Sequence, residues 1–321
     1  MRAITGTDHL ELTEVPDPVP APDEILIEVT AAGVNRADVM QRAGFYPPPP
    51  GASEILGLEV SGHIAALGSE VAGWTVGDPV CALLSGGGYA EKVAVPATQV
   101  LPVPEGVTVH DAAALPEVAC TVMSNVFGAG RLTPGELLLI HGGSSGIGTH
   151  AIQVAKAAGA RVAVTARNPE KLAKCAELGA DILIDYSYED FGASLRPHGG
   201  ADVILDVVGA KYLARNVDTL ATGGRLVVIG LLGGRKGELD LGKLLAKRAC
   251  ITGTTLRSRP ATGPDSKAEV VRATLESTWP LIASGRVRPV VDSVFPLADA
   301  GAALDRMTGG DAAGKILLTV G

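Results

Sequence analysis

The stretch "LLLIHGGSSGIGTHAIQVAKAAGARVAVTARNPEKL", Leu137–Leu172, constrains the fold more than any other. An apolar run leads into a glycine cluster, a helix of small residues follows, and a second apolar run, Arg161–Ala166, comes after it. Strand, glycine loop, helix and strand together make a dinucleotide-binding unit, and that context is what makes the glycines informative. Gly143 is expected to permit the turn off the strand. Gly146 is expected to let backbone approach a pyrophosphate, and Gly148 to let the helix pack closely. The N–H groups of Ser145, Gly146 and Ile147 are expected to face phosphates from the helix N-terminus, where the dipole favours negative charge. The hydroxyls of Ser144 and Ser145 add donors.

The glycines are spaced G-x-x-x-G-x-G rather than G-x-G-x-x-G. Short-chain dehydrogenases share that spacing, but they place it at the extreme N-terminus and need a Tyr-x-x-x-Lys pair. None of Tyr46, Tyr89, Tyr186, Tyr188 and Tyr212 is followed by lysine at that interval. The second strand ends "VTARNPEKL", without the acid that would bind an adenosine ribose and repel a 2′-phosphate. Arg167 offers a donor fork for phosphate. Asn168 and Pro169 suit an N-cap and a first helical position. Lys171 can reach the same spot, and Tyr186 can flank it. The set favours NADPH over NADH. Further along, "LDVVG" and "VVIGLL" close two strands at the crevice where such sheets bind ligand. Gly230, Leu231 and Leu232 lie there, with backbone expected near the cofactor.

Around this unit the texture changes twice. Residues 1 to about 115 read as short strands with glycine corners, such as "EILIEVTAAGVN", suggesting a small barrel. From about Asp111 helical periodicity begins, and strands then alternate with helices. Expected strands lie at residues 136–141, 161–166, 181–185, 202–208, 225–231 and 250–256. Their runs are continuously apolar, as in a parallel sheet covered on both faces. The last segment, 257–321, holds one long expected helix, Ser266–Ser284, and a closing strand, "GKILLTV". It is too short for a third domain and is expected to complete the barrel. The fold class is therefore α/β, a β-barrel domain joined to a doubly wound parallel sheet.

The formal charge of −8 on 321 residues, with no basic tail, argues against nucleic acid and anionic membrane as partners. Cys81, Cys120, Cys175 and Cys250 are widely spaced, so no zinc ribbon or C-x-x-C redox pair is expected. The N-terminus lacks the apolar core of a signal peptide, and no apolar run is read as approaching the roughly 20 residues of a bilayer span. A cytoplasmic location is expected.

"AAGVNRADVMQRAGFYPPPP" (Ala31–Pro50), "GLEVSG" (Gly57–Gly62), "HGGSSGIGTHAIQVAKAAGA" (His141–Ala160) and "TGTTLRSR" (Thr252–Arg259) cover both domains. Through them the chain resembles the medium-chain dehydrogenase/reductases, in particular their zinc-free quinone oxidoreductase branch of the p53-inducible-protein-3 type. The resemblance implies a GroES-like catalytic domain, residues 1–117 with 259–321, and a Rossmann domain, residues 118–258. It implies a homodimer or homotetramer and NADPH-dependent, metal-free reduction of a quinone. A 2-enoyl or enone reductase on the same scaffold is the rival, and a non-enzymatic nucleotide-responsive binding protein is a third reading. Zinc-dependent relatives carry a cysteine near the "GVN" strand and a Gly-His-Glu motif. Here Asn35 follows Gly33-Val34, and Leu58 precedes Glu59. No metal site is expected. His63 is expected on a barrel strand, and His141 is expected to be structural.

By the same resemblance Asn35 and Tyr46 line the pocket for the acceptor. Asn35 is expected to donate to a carbonyl or a ribose hydroxyl, and Tyr46 to stack and to donate. Thr121, Thr254, Thr255 and Leu256 are expected near the nicotinamide. Relatives often carry an aromatic near Met123–Ser124, which this chain lacks. Tyr46 is the one proton donor these residues offer to an enone.

Overall fold

A computed structural model describes residues 1–7 and 9–321. Among them fifteen strands follow in chain order: β1 (Arg2–Thr5), β2 (Glu11–Glu14), β3 (Glu24–Val34), β4 (Glu59–Leu67), β5 (Pro79–Leu83), β6 (Lys92–Pro96), β7 (Val100–Pro102), β8 (Leu137–His141), β9 (Arg161–Ala166), β10 (Ile182–Asp185), β11 (Ala201–Asp206), β12 (Leu220–Val228), β13 (Cys250–Gly253), β14 (Val291–Pro296) and β15 (Lys315–Thr319). The chain divides into two compact units. One comprises Met1–Cys120, Leu256–Gly285 and Pro289–Gly321; the other comprises Thr121–Thr255 and Arg286–Arg288.

In the first unit the sheet is organised by β3. Its first half alternates buried and less buried residues, as the sequence pattern demands, and Ala31–Val34 are then buried on both faces. Along one edge β3 pairs antiparallel with β4; along the other it pairs with β6 at Glu24–Glu28 and with β15 at Ala31–Val34. The C-terminal segment thus returns to this sheet, with Leu317 opposite Gly33. Ile25, Ile27, Val60, Ile64, Leu304 and Ile316 form its core. A fully buried aliphatic side chain of this size contributes roughly 1.5–3 kcal/mol.

The single long helix expected over Ser266–Ser284 is two helices, Lys267–Ser277 and Trp279–Ala283. Pro280 explains the break, because its ring supplies no N–H and crowds the turn before it. Helical structure begins slightly earlier than expected, at Val109. The stretch Val109–Ala129, 21 residues, is as long and apolar as a membrane-crossing helix, contrary to expectation, but 67% of its apolar window is buried inside the fold. It is also interrupted, with helices at Val109–Ala112 and Pro116–Val122 and a π-helical segment at Met123–Ala129.

The second unit holds six parallel strands in the order β10-β9-β8-β11-β12-β13. Connections leave β8 in one direction toward β9 and β10, and β11 resumes on its other side. The crevice of a doubly wound sheet opens at that reversal, beyond the strands' C-terminal ends. Three strands stop short of their expected ends: β11 at Asp206, β12 at Val228 and β13 at Gly253. Each of those ends continues into turns that reach the crevice.

Candidate functional site

The glycine loop leaves β8 at Gly142, whose φ of +77° is the left-handed conformation that favours glycine. The turn residue is therefore Gly142, where Gly143 was expected. Gly143 serves close approach instead: a Cβ there would lie 2.6 Å from Val164 Cβ on β9. The N–H groups of Gly142 and Gly143 both donate to the Thr165 carbonyl, at 3.1 and 3.0 Å, which ties the loop to β9. A Cβ on Gly148 would meet the Gly142 carbonyl oxygen at 2.4 Å, so the helix Gly146–Ala157 packs on the loop's own backbone.

Ser145 corrects a second expectation. Its N–H donates to the Gly142 carbonyl at 3.0 Å, and its Oγ accepts from the Gly148 N–H at 3.1 Å. It is a helix cap, and its N–H is spent. Ser144 is buried beside it. The donors left for an anion are the first helical N–H groups, Gly146 and Ile147, which have no intrahelical acceptor.

At the neighbouring strand ends, Ala166 and Asp185 are in register on β9 and β10. The next residues, Arg167 and Tyr186, are brought together, with Arg167 Nε 3.5 Å from the Tyr186 hydroxyl. Asn168 caps the helix Pro169–Glu177, accepting the Lys171 N–H at 3.0 Å. This corner thus presents Arg167, Lys171 and a phenol, with no acid at the end of β9.

Beyond β12 the chain turns back over β11. Leu232 N–H donates to the Val207 carbonyl, and a Cβ on Gly230 would lie 2.8 Å from that same oxygen. Leu231 and Leu232 are exposed. On the π-helical segment, buried Asn125 donates to the Thr121 carbonyl at 2.8 Å and accepts the Thr254 hydroxyl, so it joins two threonines expected near the nicotinamide. Thr255 is exposed, whereas Leu256 is buried and belongs to the first unit. His141 is a core residue. Its Nε2 is 2.8 Å from Asn216 Oδ1, its ring packs on Phe191 and Tyr212, and burial lowers its pKa to about 4.

In the first unit the polar residues collect around Glu59. The side chain of Glu59 is wholly buried and that of Lys315 is 4% exposed. The Lys315 ammonium donates to Glu59 Oε1 at 2.5 Å, Asn35 Oδ1 at 2.7 Å and the Val34 carbonyl at 2.9 Å. Asn35 Nδ2 donates to the same Glu59 oxygen at 2.9 Å and to the Gly33 carbonyl at 3.4 Å. Both ends of the Asn35 amide are therefore engaged within the protein, where a free donor was expected. Gly33 is needed for this closeness, since a Cβ there would sit 2.3 Å from Glu59 Oε1. The other Glu59 oxygen accepts the Glu117 N–H at 2.9 Å.

Asp38, also buried, accepts from the N–H groups of Asn35 and Gly57 and from the Tyr89 hydroxyl. Burial outweighs these bonds and pushes its pKa up to about 6. Arg257 donates to the carbonyls of Ser85 and Tyr46 and to Gln41 Oε1, and lies 5.4 Å from the Tyr46 ring centroid. Burial raises the Tyr46 phenol above its usual range; the charge of Glu117 adds to this and Arg257 opposes it.

Four residues of this arrangement lie outside the sequence-based expectations. Lys315 had a signal, as the lone charge opening an otherwise apolar closing strand. Glu117 had one too, an acid directly after a proline at a helix start. Asn125 and Arg257 carried none beyond being polar in apolar or basic surroundings.

Zinc is not fitted by these groups. Asn35 and Glu59 bring neither thiolate nor imidazole, and the carboxylate already holds an ammonium. Among the described residues no three His, Cys, Asp or Glu side chains are grouped to hold a metal ion.

This architecture, a GroES-like sheet with a Rossmann sheet whose glycine loop opens a helix, defines a dehydrogenase/reductase. Residues 21–105 match the alcohol dehydrogenase GroES-like domain and residues 146–273 the zinc-binding dehydrogenase domain. The mouse quinone oxidoreductase is 30% identical over 99% of this chain and 97% of its own. An acryloyl-coenzyme A reductase from Sulfurisphaera tokodaii is 30% identical over 96% of each. An Escherichia coli quinone oxidoreductase solved with NADPH superimposes with a TM-score of 0.87 at 28% identity, over 99% of this chain and 98% of that one. A phenolphthiocerol/phthiocerol polyketide synthase of Mycobacterium tuberculosis is 31% identical over 98% of this chain, but the chain spans only 14% of that relative's length. The chain belongs to the medium-chain dehydrogenase/reductase family.

Proposed function

We propose that this protein is an NADPH-dependent quinone reductase that transfers hydride without a metal. The observation that carries the cofactor half is the Arg167–Tyr186–Lys171 corner at the ends of β9 and β10, cationic and with no acid at the end of β9. A 2′-phosphate carries the charge such a corner binds, through charge-assisted hydrogen bonds. The pyrophosphate suits the Gly146 and Ile147 N–H groups. The NADPH-bound Escherichia coli structure supports the same reading.

The saturated Asn35–Glu59–Lys315 cluster supports the metal-free half, because the position beside Glu59 already holds a cation. A quinone suits such a site. It accepts hydride readily, and its product oxygens take protons from water, so no Lewis acid is required. The protein's task is to hold donor and acceptor about 3–3.5 Å apart. Tyr46, with Arg257 behind its ring, offers a surface on which a planar acceptor can stack. A second reading, reduction of a conjugated alkene, is favoured by the likeness to the acryloyl-coenzyme A reductase.

Steady-state oxidation of NADPH and NADH with 1,4-benzoquinone tests the proposal. NADPH is expected to support turnover at well below the concentration NADH needs. Absence of quinone turnover overturns the proposal, and enone turnover far above quinone turnover transfers the assignment to the second reading.

A further inference from the structure

We propose that Arg257 is a positioning residue of this reductase: it fixes the Tyr46 ring from behind and keeps an unneutralised positive charge there, so that the site favours an acceptor that turns negative as it takes up hydride. This rests on the reading of the chain as a quinone reductase whose acceptor stacks on Tyr46.

Arg257 is 3% exposed, and its guanidinium gathers segments of the first unit that lie far off in the sequence. Its Nε donates to the Ser85 carbonyl at 2.8 Å, just beyond β5. One terminal nitrogen donates to the Tyr46 carbonyl at 3.2 Å, and the other to Gln41 Oε1 at 2.7 Å. Gln41 lies on the helix Arg36–Arg42 and passes the contact on, because its Nε2 donates to the Glu54 carbonyl at 2.8 Å. The loop that carries Tyr46 and the run Pro47–Pro50 is thus held at Gln41, at Tyr46 itself and at Glu54. The same guanidinium lies over the Tyr46 ring, 5.4 Å from its centroid, within cation–π reach. One side chain therefore fixes both the backbone and the ring of Tyr46, which is half-buried.

The charge of Arg257 is treated differently from that of Lys315, which sits on Glu59. Among the described residues Arg257 makes no ion pair. Its acceptors are two carbonyls and an amide, which solvate the charge without cancelling it. A guanidinium does not give up its proton inside a protein, so the charge stays. Lys267 is buried as well, and its ammonium donates to the Arg259 carbonyl at 2.9 Å and makes no ion pair. Two acids reach Arg257. Asp38 has its charge bound by the N–H groups of Asn35 and Gly57 and by the Tyr89 hydroxyl. Glu117, whose charge acts on Arg257, Lys267 and Tyr46 alike, holds its proton at neutral pH, since burial and the neighbouring Glu59 push its pKa up to about 8. A buried cation kept without a counter-ion calls for an explanation, and negative charge that develops on a substrate is one.

Quinone reduction supplies that charge. As a quinone takes up hydride, the C–H bond of the donor breaks, an O–H bond forms at one quinone oxygen, and the displaced electron pair ends on the other oxygen as a phenolate. A proton from water then completes the hydroquinone, so one quinone, one reduced nicotinamide and one proton give one hydroquinone and one oxidised nicotinamide. An acceptor stacked on the face of Tyr46 away from Arg257 gains its negative charge opposite a positive charge already in place. Such a fixed charge stabilises the transition state without having to reorganise as the reaction proceeds. The fork and the charge of Arg257 thus have separate effects. The fork sets where the ring stands, and with it how well an acceptor binds; the charge sets how fast the bound acceptor is reduced.

The test compares wild type, Arg257→Lys and Arg257→Met, each with and without Tyr46→Ala, in turnover of 1,4-benzoquinone at saturating NADPH. Arg257→Met is expected to lower kcat about tenfold and to raise the quinone KM. Arg257→Lys keeps the charge and loses the fork, so it is expected to raise KM while kcat stays within about threefold of wild type. On the Tyr46→Ala background, Arg257→Met is expected to cost less than about threefold further in kcat/KM, because residues that act through one another are not additive. A second readout needs neither nucleotide nor turnover. Ultraviolet titration of the Tyr46 phenol, isolated by subtracting the same protein carrying Tyr46→Phe, is expected to move to higher pH in Arg257→Met, since the guanidinium opposes the rise that burial causes. The proposal is overturned if the single losses multiply in the double variant, if Arg257→Met keeps kcat within about threefold of wild type, or if the phenol titrates unchanged. Should Arg257→Met not fold, Arg257→Lys decides: an unchanged quinone KM overturns the proposal. These outcomes leave the reductase reading standing, whereas absence of quinone turnover in wild type overturns that reading and the inference with it.

Discussion

The two units treat polar groups in opposite ways. In the Rossmann unit the glycine loop uses its own hydrogen bonds only to shape itself, through Gly142, Gly143 and Ser145, and leaves the next two helical N–H groups open. In the GroES-like unit Asn35, Glu59, Lys315 and Asp38 spend their polar groups on one another and on nearby backbone. A site that must hold a large anion can be built from backbone, because helix ends supply donors at no cost in buried charge. The GroES-like unit instead keeps charges inside the protein. Those charges have to be paired, because an isolated buried ion costs several kcal/mol.

That contrast can be broken first at Lys315. Lys315→Met leaves Glu59 charged and unpaired in the core, and a loss of roughly 3–5 kcal/mol is expected by urea denaturation. Adding Glu59→Gln should return much of it; if the double variant is no more stable than the single one, pairing is not what holds the cluster. In the other unit, Arg167→Ala with Lys171→Ala is expected to weaken NADPH binding about 10- to 100-fold, the equivalent of one or two charge-assisted bonds, with little change for NADH. Equal losses in a calorimetric titration would show that this corner does not read the 2′-phosphate. Gly148→Ala forces a Cβ against the Gly142 carbonyl and is expected to cost about 1–3 kcal/mol in thermal unfolding, together with nucleotide affinity. Smallest is Ser145→Ala, which removes a helix cap for about 1 kcal/mol. An unchanged melting temperature there would mean that the loop is shaped by Gly142 alone.

Acid–base behaviour sharpens the contrast further. The folded state holds the Glu117 proton up to about pH 8, while an ordinary glutamate gives it up near 4.5. Between those values the folded form binds more protons than the unfolded form, so this group makes stability fall as pH rises. In Glu117→Gln that part of the decline is expected to disappear from denaturation curves taken between pH 5 and pH 8.

The dinucleotide unit was legible because its signals are local. Apolar strand runs, a glycine loop and the capping pair Asn168–Pro169 lie close together in the chain, and each acts on its immediate neighbours. The departures are local as well. Gly142 and Gly143 exchange roles because both are glycine, and spacing cannot say which one carries the positive φ and which one meets Val164. The break before Pro280 needs no tertiary contact to explain it, since the missing N–H acts within its own turn.

The cluster in the other unit was not legible, because its members are separated by up to 280 positions. Nothing near Asn35 announces that its amide will be claimed by a lysine from the closing strand. By itself the sequence determined the parallel sheet, the loop that turns into a helix, the cationic corner after β9 and the return of the C-terminus to the first sheet. The sheet and the loop follow from periodicity and backbone preference over short spans, the corner from residue type, and the return of the C-terminus from a segment too short for a domain of its own. Only the tertiary structure decided which polar groups are spent and which remain available. Hydrogen bonds and buried charges are settled by partners in space, and those partners put the Asn35 amide out of use.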